Sequence, residues 1–498
     1  MIIERRSTTL ADMEAFAREL SLWARPGLAI HLSGALGAGK SAFARAFIRG
    51  LAQDDREFDI PSPSFSLVQS YDALRVPVVH VDLYRIGSPS EVTELGLEEF
   101  LGKSLMIIEW PERLPENISP DRLKIFFGGS GDTRDLKLEA AGKWIEILKR
   151  DEAIKEFVNQ SRVAGGTRYH FEGDASARRY ERVAGNATTQ LLMDMPSRPD
   201  GPVVKNGKPY SAIAHLAEGI SAVVAINDYL FNLDYSVPRI YAADIKHGMA
   251  LIESLGDKVF SRMMAKGEDM AEPMKAAVEV LADMAARDWP SKVPVQGGND
   301  HHIAPYDLDA MMIEVDLLLS WFWLLQKKSA PGDDVKADFS TIWQTLLTSI
   351  DSHKPVWTLR DYHSPNLLWL PERKGLRRVG IIDTQDCVMG HAAYDLVSML
   401  QDARVDIDFK RADELFDYYC GLRSATGPFD AGEFSRVFAI LGAQRATKIL
   451  GIFARLSKRD GKPIYLNHIP RVSGYLKRNL AHPDLAVLRS WYERNLPL

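Results

Sequence analysis

The sequence predicts two domains in tandem, an α/β layer with a largely parallel sheet and then an α+β domain of two lobes. Three observations carry this. A glycine-rich run, Gly34 to Ser41, lies between an apolar strand pattern and a helical one. Two further apolar runs in the first 150 residues each end in a carboxylate, Asp82 and Glu109. The second half changes character: after a mixed front segment it is mostly helical, apart from one hairpin signal at 366–383. At 498 residues the chain exceeds one ordinary core. With 46% hydrophobic and 26% charged residues it has the balance of a folded globular protein. A net charge of −6 gives no global attraction to nucleic acid or anionic membrane, so any RNA contact must come through a local patch or a partner.

In chain order, residues 9–24 place apolar side chains at helical spacing. Leu28 to Leu32 is a short strand, and Lys40 to Leu51 a helix. Pro77 to Val81 and Leu105 to Ile108 are strands. Leu123 to Phe127 and Leu136 to Leu138 alternate around Gly128-Gly129-Ser130-Gly131, the pattern of a hairpin. A charged helical stretch from Lys149 to Gly166 then leads onward. The expected division is 1–150, a linker at 151–165, a first lobe at 166–260 and a second lobe with the acceptor site at 261–498. The first lobe carries one long helix near Ser211 to Leu230. The hairpin signal pairs Leu367 to Leu370 with Arg378 to Ile382 around Glu372 to Gly375.

Cys387 and Cys420 are far apart and lack zinc or redox spacing, so no disulfide scaffold is expected and a reducing compartment fits. Met1 to Arg6 lacks the apolar core of a signal peptide. No apolar run approaches the roughly 20 residues that span a bilayer. The richest, Met311 to Leu325, is interrupted by Glu314 and Asp316 and reads as a buried helix. A cytoplasmic protein without membrane contact is the expectation.

Gly34-Ala35-Leu36-Gly37-Ala38-Gly39-Lys40-Ser41 fits G-x-x-x-x-G-K-[ST]. In such a loop Gly34, Leu36, Gly37, Ala38 and Gly39 offer backbone N–H groups to phosphates, and Lys40 reaches the β- and γ-phosphates. The Ser41 hydroxyl suits Mg²⁺, and the following helix adds its positive end. Asp82, closing its strand, is the second Mg²⁺-side candidate. Glu109, closing another, is placed to orient the attacking water or assist the metal. With Pro61-Ser62-Pro63-Ser64-Phe65, His80 to Arg85, Glu94 to Leu97 and Ile108 to Arg113, residues 1–148 resemble the TsaE family, an α/β P-loop NTPase. The resemblance implies ATP hydrolysis that resets a complex with TsaB and TsaD. That machinery makes threonylcarbamoyladenosine at position 37 of tRNA, so tRNA is met only indirectly. It also implies Ser64 as a switch-loop Mg²⁺ ligand and Trp110 beside the nucleotide. Ala35 stands where the family usually has Asp, which removes any contact made by that side chain but not the backbone cradle.

The second constellation is Asp361-Tyr362-His363-Ser364-Pro365-Asn366, an Asp five residues before an Asn, followed at hairpin distance by Ile381-Ile382-Asp383. Phosphoryl transfer needs a carboxylate at the acceptor hydroxyl and metals at the triphosphate. Asp361 is therefore the candidate base, and Asn366 and Asp383 the candidate Mg²⁺ ligands. Asp395, in Gly390 to Leu396, reads as structural, capping a helix or holding the catalytic loop, ahead of a chemical role. His363 braces that loop or is a solvated imidazole. Gly173 to Tyr180 sits where a nucleotide-covering loop belongs, and Ala250 to Asp257 resembles a hinge strand whose Glu253 backbone meets adenine. No lysine stands in the strand Leu192-Met193-Asp194 where kinases grip the α- and β-phosphates. Arg178 or Arg179 serves instead, or each is a surface charge.

Residues 165–490 resemble aminoglycoside phosphotransferase-type, protein-kinase-like kinases, and among them the anomeric kinases of N-acetylmuramate and N-acetylglucosamine. The residues that carry this are Gly173 to Tyr180, Leu192 to Pro196, Asp361 to Asn366, Ile382 to Asp386, Leu450 to Arg455 and Arg459 to Pro463. The resemblance implies ATP, Mg²⁺ and phosphorylation of an anomeric hydroxyl in cell-wall recycling. The alternatives are an aminoglycoside, a choline-like or other small alcohol as acceptor, or a half that only binds nucleotide.

Overall fold

The computed structural model describes residues 1–498 except 53–57, 115–119, 130, 173–177, 187, 198–200, 296–297 and 351–353. It has two compact units, Met1–Asp174 with Tyr180–Gln190, and Ala175–Arg179 with Leu191–Leu498.

The first unit is built on a seven-stranded sheet. Its strands are β1 (Ile2–Thr9), β2 (Ala29–Gly34), β3 (Val68–Tyr71), β4 (Val78–Asp82), β5 (Leu105–Glu109), β6 (Arg122–Gly128) and β7 (Thr133–Ala140). They lie in the order β1-β7-β6-β2-β5-β4-β3. The four central strands run parallel, while β1, β7 and β3 add antiparallel edges, so the sheet is mixed where a largely parallel one was expected. The expected glycine-split hairpin forms as β6–β7. β2, β4 and β5 are apolar and buried, as strands covered on both faces must be.

Helix α1 (Leu10–Ser21) begins at a capping box: Thr9 Oγ1 accepts from Asp12 N at 3.2 Å and Asp12 Oδ2 accepts from Thr9 N at 3.2 Å. Helix α2 (Lys40–Arg49) follows the glycine loop and buries Phe43, whose ring meets Phe16 and Phe127 edge-on at 6.2 and 5.9 Å. A short α3 (Pro89–Glu94) precedes β5. Helix α4 (Lys143–Asn159) runs through the first part of the charged, helical segment expected as a linker at 151–165. Most of that segment is the second half of a helix whose Trp144, Ile147, Ile154 and Val158 are buried. Trp144 Nε1 donates to Ala29 O on the central strand at 3.0 Å.

The antiparallel pair β8 (Thr167–Phe171) and β9 (Arg179–Ala184) follows, its paired residues within this unit. Buried Arg168 on β8 fastens it. Its Nε and Nη2 donate to Glu181 at 2.6 and 3.0 Å, and its Nη1 to Asp151 of α4 at 2.9 Å and Glu19 of α1 at 3.3 Å.

In the second unit, Met249–Ile252 pairs antiparallel with Ile240–Asp244 on one side and with Leu191 to Asp194 on the other. The expected long helix at Ser211 to Leu230 is two, Tyr210–Ile213 and Ile220–Asn232. Between them His215 is left-handed at φ 52°, its ring 3.2 Å from Asp307, and Gly219 is extended. The rest is mostly helical around Ala431–Lys458, with the expected hairpin, Leu367–Trp369 with Val379–Ile381, and further short antiparallel pairs, among them Val356–Thr358 with Val388–Gly390. Ala431–Lys458 is long and apolar enough to cross a membrane by length and composition, yet 83% of its apolar window is buried inside the protein. The run from Met311 is a buried helix that passes through a π-helical turn at Leu318–Phe322.

Candidate active sites

The glycine loop is shaped by backbone that only glycine adopts easily. Gly37 and Gly39 have φ of 76° and 105°, and a Cβ on Gly34 would meet Phe127 O at 2.8 Å. Gly39 is the N-cap of α2, so the loop opens directly onto the positive end of that helix. Lys40 is buried, its Nζ donating to Gly34 O at 2.8 Å and Ala35 O at 2.9 Å and standing 4.0 Å from the centre of the Trp110 ring. Desolvation lowers its pKa, against the pull of Glu109 and Asp82.

The parallel register of β4 and β5 sets Asp82 beside Glu109. Both are buried at the strand ends. Glu109 Oε2 accepts from Ser41 Oγ at 3.0 Å, and Glu109 Oε1 accepts from His80 Nε2 at 3.0 Å. Asp82 Oδ1 accepts from Tyr84 N at 2.9 Å, and the Tyr84 ring packs against Trp110 at 5.0 Å. Leu36, Gly37, Ala38, Gly39, Lys40, Ser41, Ser64, Asp82, Glu109 and Trp110 line one cavity of about 380 Å³. Ser64 Oγ also lies 2.9 Å from Ser62 Oγ. The donors at Ser41, Ser64, Asp82 and Glu109 are all oxygen, the set a hard divalent cation prefers.

Two supporting residues were not singled out from sequence. His80 is fully buried behind Glu109 and fixes its carboxylate. Arg134 of β7 holds the glycine loop from outside, donating from Nε to Ala38 O at 2.9 Å and from Nη2 to Gly37 O at 3.4 Å. His80 stood in the quoted His80 to Arg85 motif but without a role. Nothing local marks Arg134.

In the second unit the catalytic loop is held from below. Asp395 accepts from Leu359 N and Arg360 N at 2.7 and 2.8 Å, so of its two expected roles it holds the loop. Burial pushes its carboxyl up to about 7, against those two N–H groups and Arg445. Arg360 is left-handed at φ 67° and ion-pairs with the buried Glu314. Asn366 donates from Nδ2 to Asp361 O at 3.0 Å, closing the loop, and Ile382 N donates to Asn366 O at 3.0 Å, tying the loop to the hairpin. His363 is buried rather than a solvated imidazole, with Nε2 3.6 Å from Asp361 Oδ1.

The Asp361 side chain remains 44% exposed, open to an acceptor. Burial of its surroundings works to raise its pKa, but His363, Arg445, Lys448 and Arg360 outweigh that and hold it at about 2. Lys448 Nζ donates to Glu314 at 2.7 Å, and Arg445 Nη2 donates to Ser398 Oγ at 2.6 Å. Both cations come from the helix Ala431–Lys458, and sequence reading had assigned neither.

Asp383 is left-handed at φ 65° and ion-pairs with Arg178. With Asn366 it offers oxygen donors alone, which again suits Mg²⁺. Glu253 has its side chain on Arg373 at 2.7 Å and its N–H on Arg239 O at 2.9 Å. An adenine contact there falls to main-chain carbonyls. The expected nucleotide-covering loop at Gly173 to Tyr180 lies outside the described residues except for 178–180.

Fold and sites together define a P-loop nucleotide-binding domain joined to a protein-kinase-like phosphotransferase domain. Residues 7–136 match the family model of the threonylcarbamoyl adenosine biosynthesis protein TsaE, and residues 170–429 that of the phosphotransferase enzyme family; the chain belongs to both families. It is 34% identical to the N-acetylmuramate/N-acetylglucosamine kinase of Caulobacter vibrioides, over 70% of this chain and 98% of that protein. It is 30% identical to the enzyme of that name from Pseudomonas putida, over 71% of this chain and 95% of that protein. It is 32% identical to the tRNA threonylcarbamoyladenosine biosynthesis protein TsaE of Bacillus subtilis, over 29% of this chain and 89% of that protein. The chain thus joins an N-terminal TsaE-like region to a C-terminal region homologous to amino-sugar kinases, a bifunctional arrangement.

Proposed function

We propose that the second unit transfers the γ-phosphoryl group of ATP to the anomeric hydroxyl of N-acetylmuramate or N-acetylglucosamine. The observation that carries this reading is the setting of Asp361: a half-exposed carboxylate in the Asp361–Asn366 loop, with His363 Nε2 at 3.6 Å and its charge favoured by His363, Arg445, Lys448 and Arg360. A carboxylate held near 2 is a weak proton acceptor, so it orients the hydroxyl and takes the proton only as the O–P bond forms. An anomeric hydroxyl, acidified by its ring oxygen, suits such a base. Arg445 and Lys448, on the helix beside the loop, favour an acceptor with a carboxylate, such as muramate, over a cationic aminoglycoside or choline. Asn366 and Asp383 would hold Mg²⁺, which when bound neutralises the triphosphate. As domain limits we keep 1–150 for the ATPase and 166–260 and 261–498 for the two kinase lobes, although the compact first unit also takes in α4, β8 and the paired part of β9.

For the first unit we propose ATP hydrolysis in support of threonylcarbamoyladenosine formation at position 37 of tRNA, acting on TsaB and TsaD. Gly34 to Ser41 would bind the phosphates, Trp110 would flank the nucleotide, and Ser41, Ser64 and Asp82 would hold Mg²⁺. Glu109, braced by His80, would orient the attacking water. A cytoplasmic setting follows from these substrates.

Purified chain given ATP and N-acetylmuramate should form the sugar 1-phosphate, seen by ³¹P NMR, with kanamycin and choline unreacted. Nucleotide binding at the second unit with no turnover of any amino sugar would overturn the acceptor assignment.

A further inference from the structure

Protein-kinase-like domains grip the α- and β-phosphates with a lysine on a central strand of the first lobe. Here the corresponding strand, Thr189–Asp194, reads Thr-Gln-Leu-Leu-Met-Asp and carries no cation. Asp194 even reverses the charge: it is buried, and Arg179 Nε donates to it at 3.1 Å. Arg179 is therefore committed to neutralising a carboxylate inside the lobe.

Arg178 is differently placed. Its Nη1 ion-pairs with Asp383 Oδ1 and donates to Gln385 Oε1 at 3.0 Å, while Gln385 Nε2 donates to Asp383 Oδ1 at 3.1 Å. The three side chains form a closed ring around the one carboxylate placed to bind Mg²⁺. A guanidinium and a divalent cation compete for this carboxylate, so a metal that takes Oδ1 displaces Arg178 from it. The metal arrives with a polyanionic phosphate chain, and a guanidinium offers five N–H donors in a fork that matches phosphate oxygens.

We infer that Arg178 is the phosphate-gripping cation that replaces the missing strand lysine, and that in the nucleotide-free protein it holds the metal carboxylate in place. The inference rests on the phosphotransferase reading above. It assigns a residue to the nucleotide's phosphates and leaves the acceptor open.

The test is calorimetric titration of the full chain carrying Lys40→Ala, which confines uptake to the second unit. ADP and adenosine are titrated separately, each with Mg²⁺ and with EDTA. Adding Arg178→Ala should weaken ADP roughly 10- to 100-fold, the range for charge-assisted hydrogen bonds, and leave adenosine within about twofold. Arg178→Lys should fall between, because it keeps the charge and loses the fork. The loss should persist in EDTA, where holding Asp383 ready for a metal gives no advantage.

Unchanged ADP affinity refutes the assignment. So does a loss confined to Mg²⁺, which would mean that Arg178 only positions Asp383, or an equal loss for adenosine, which would mean damage to the lobe. If the Lys40→Ala parent takes up no nucleotide at all, the phosphotransferase reading itself fails and takes the assignment with it.

Discussion

Arg168 is 4% exposed and faces three carboxylates, two of them nearly as buried: Glu181 at 1% and Asp151 at 5%. Replacing it with Met leaves Glu181 without its bidentate partner, the case in which a buried ion pair is costly to break, about 3–5 kcal/mol. For a unit of this size 1 kcal/mol moves the midpoint by roughly 2–4 °C, so Arg168→Met should lower the first unit's melting temperature by about 10 °C. The double variant Arg168→Met/Glu181→Leu should recover most of that. The remaining carboxylate, Asp151, keeps Lys155 at 2.7 Å and Trp23 Nε1 at 2.8 Å, and Glu19 keeps Lys155 at 2.8 Å. A double-mutant cycle by urea unfolding should thus give a coupling of about 2–3 kcal/mol between Arg168 and Glu181. Asp151 gives the cluster a pH signature. Desolvation opposes the charge on Asp151, but Arg168 and Lys155 lower its pKa below the ordinary 3.8, so its stabilisation is present above that value and fades as pH falls below it. A loss under about 1 kcal/mol for Arg168→Met would show that the cluster behaves as a solvated surface pair, and the reasoning would be wrong.

Further outcomes concern the two sites. Glu109→Gln should reduce ATP hydrolysis by at least about 100-fold while leaving sugar phosphorylation intact, measured by phosphate release and by sugar phosphate formed; a loss of both would mean that the sites do not act separately. Gly34→Ala should abolish nucleotide binding at the glycine loop, because a Cβ there meets Phe127 O at 2.8 Å with φ at 151°, and an unaltered titration would contradict the loop geometry. Asp361→Asn should lower the rate of sugar phosphorylation by about 1000-fold with KM for ATP little changed. Since Asp361 is held at about 2, below its ordinary 3.8, it stays ionised throughout neutral pH. In Asp395→Asn, which removes that residue's own titration near 7, kcat at saturating MgATP should then show no acid limb centred above pH 5, and such a limb would count against the low pKa of Asp361.

Much of each site was legible because its chemistry is contiguous. The glycine loop, the carboxylate-tipped strands and the Asp361–Asn366 loop are each set by a few neighbouring residues whose backbone needs are local. The residues that tune those sites were not. His80 acts on Glu109 through strand pairing, Arg134 reaches the loop carbonyls from 96 residues away, and Lys448 meets Glu314 only because two helices pack. Charge alone made Arg178 and Arg179 equivalent, whereas tertiary placement gives one to Asp194 and the other to Asp383. The break between Ile213 and Ile220 and the passage of α4 through position 150 likewise come with contacts to distant residues, Asp307 and Ala29. Ser211 to Leu230 read as one continuous helix, and the helical stretch from Lys149 as a linker, because helical periodicity says nothing about what a helix must accommodate.

The most direct measurement is the number of nucleotides one folded chain takes up, by equilibrium dialysis with a non-hydrolysable ATP analogue and Mg²⁺. Two independent pockets require two per chain, falling to one in Lys40→Ala and to one in Asp383→Ala. A wild-type chain that saturates at one contradicts the account.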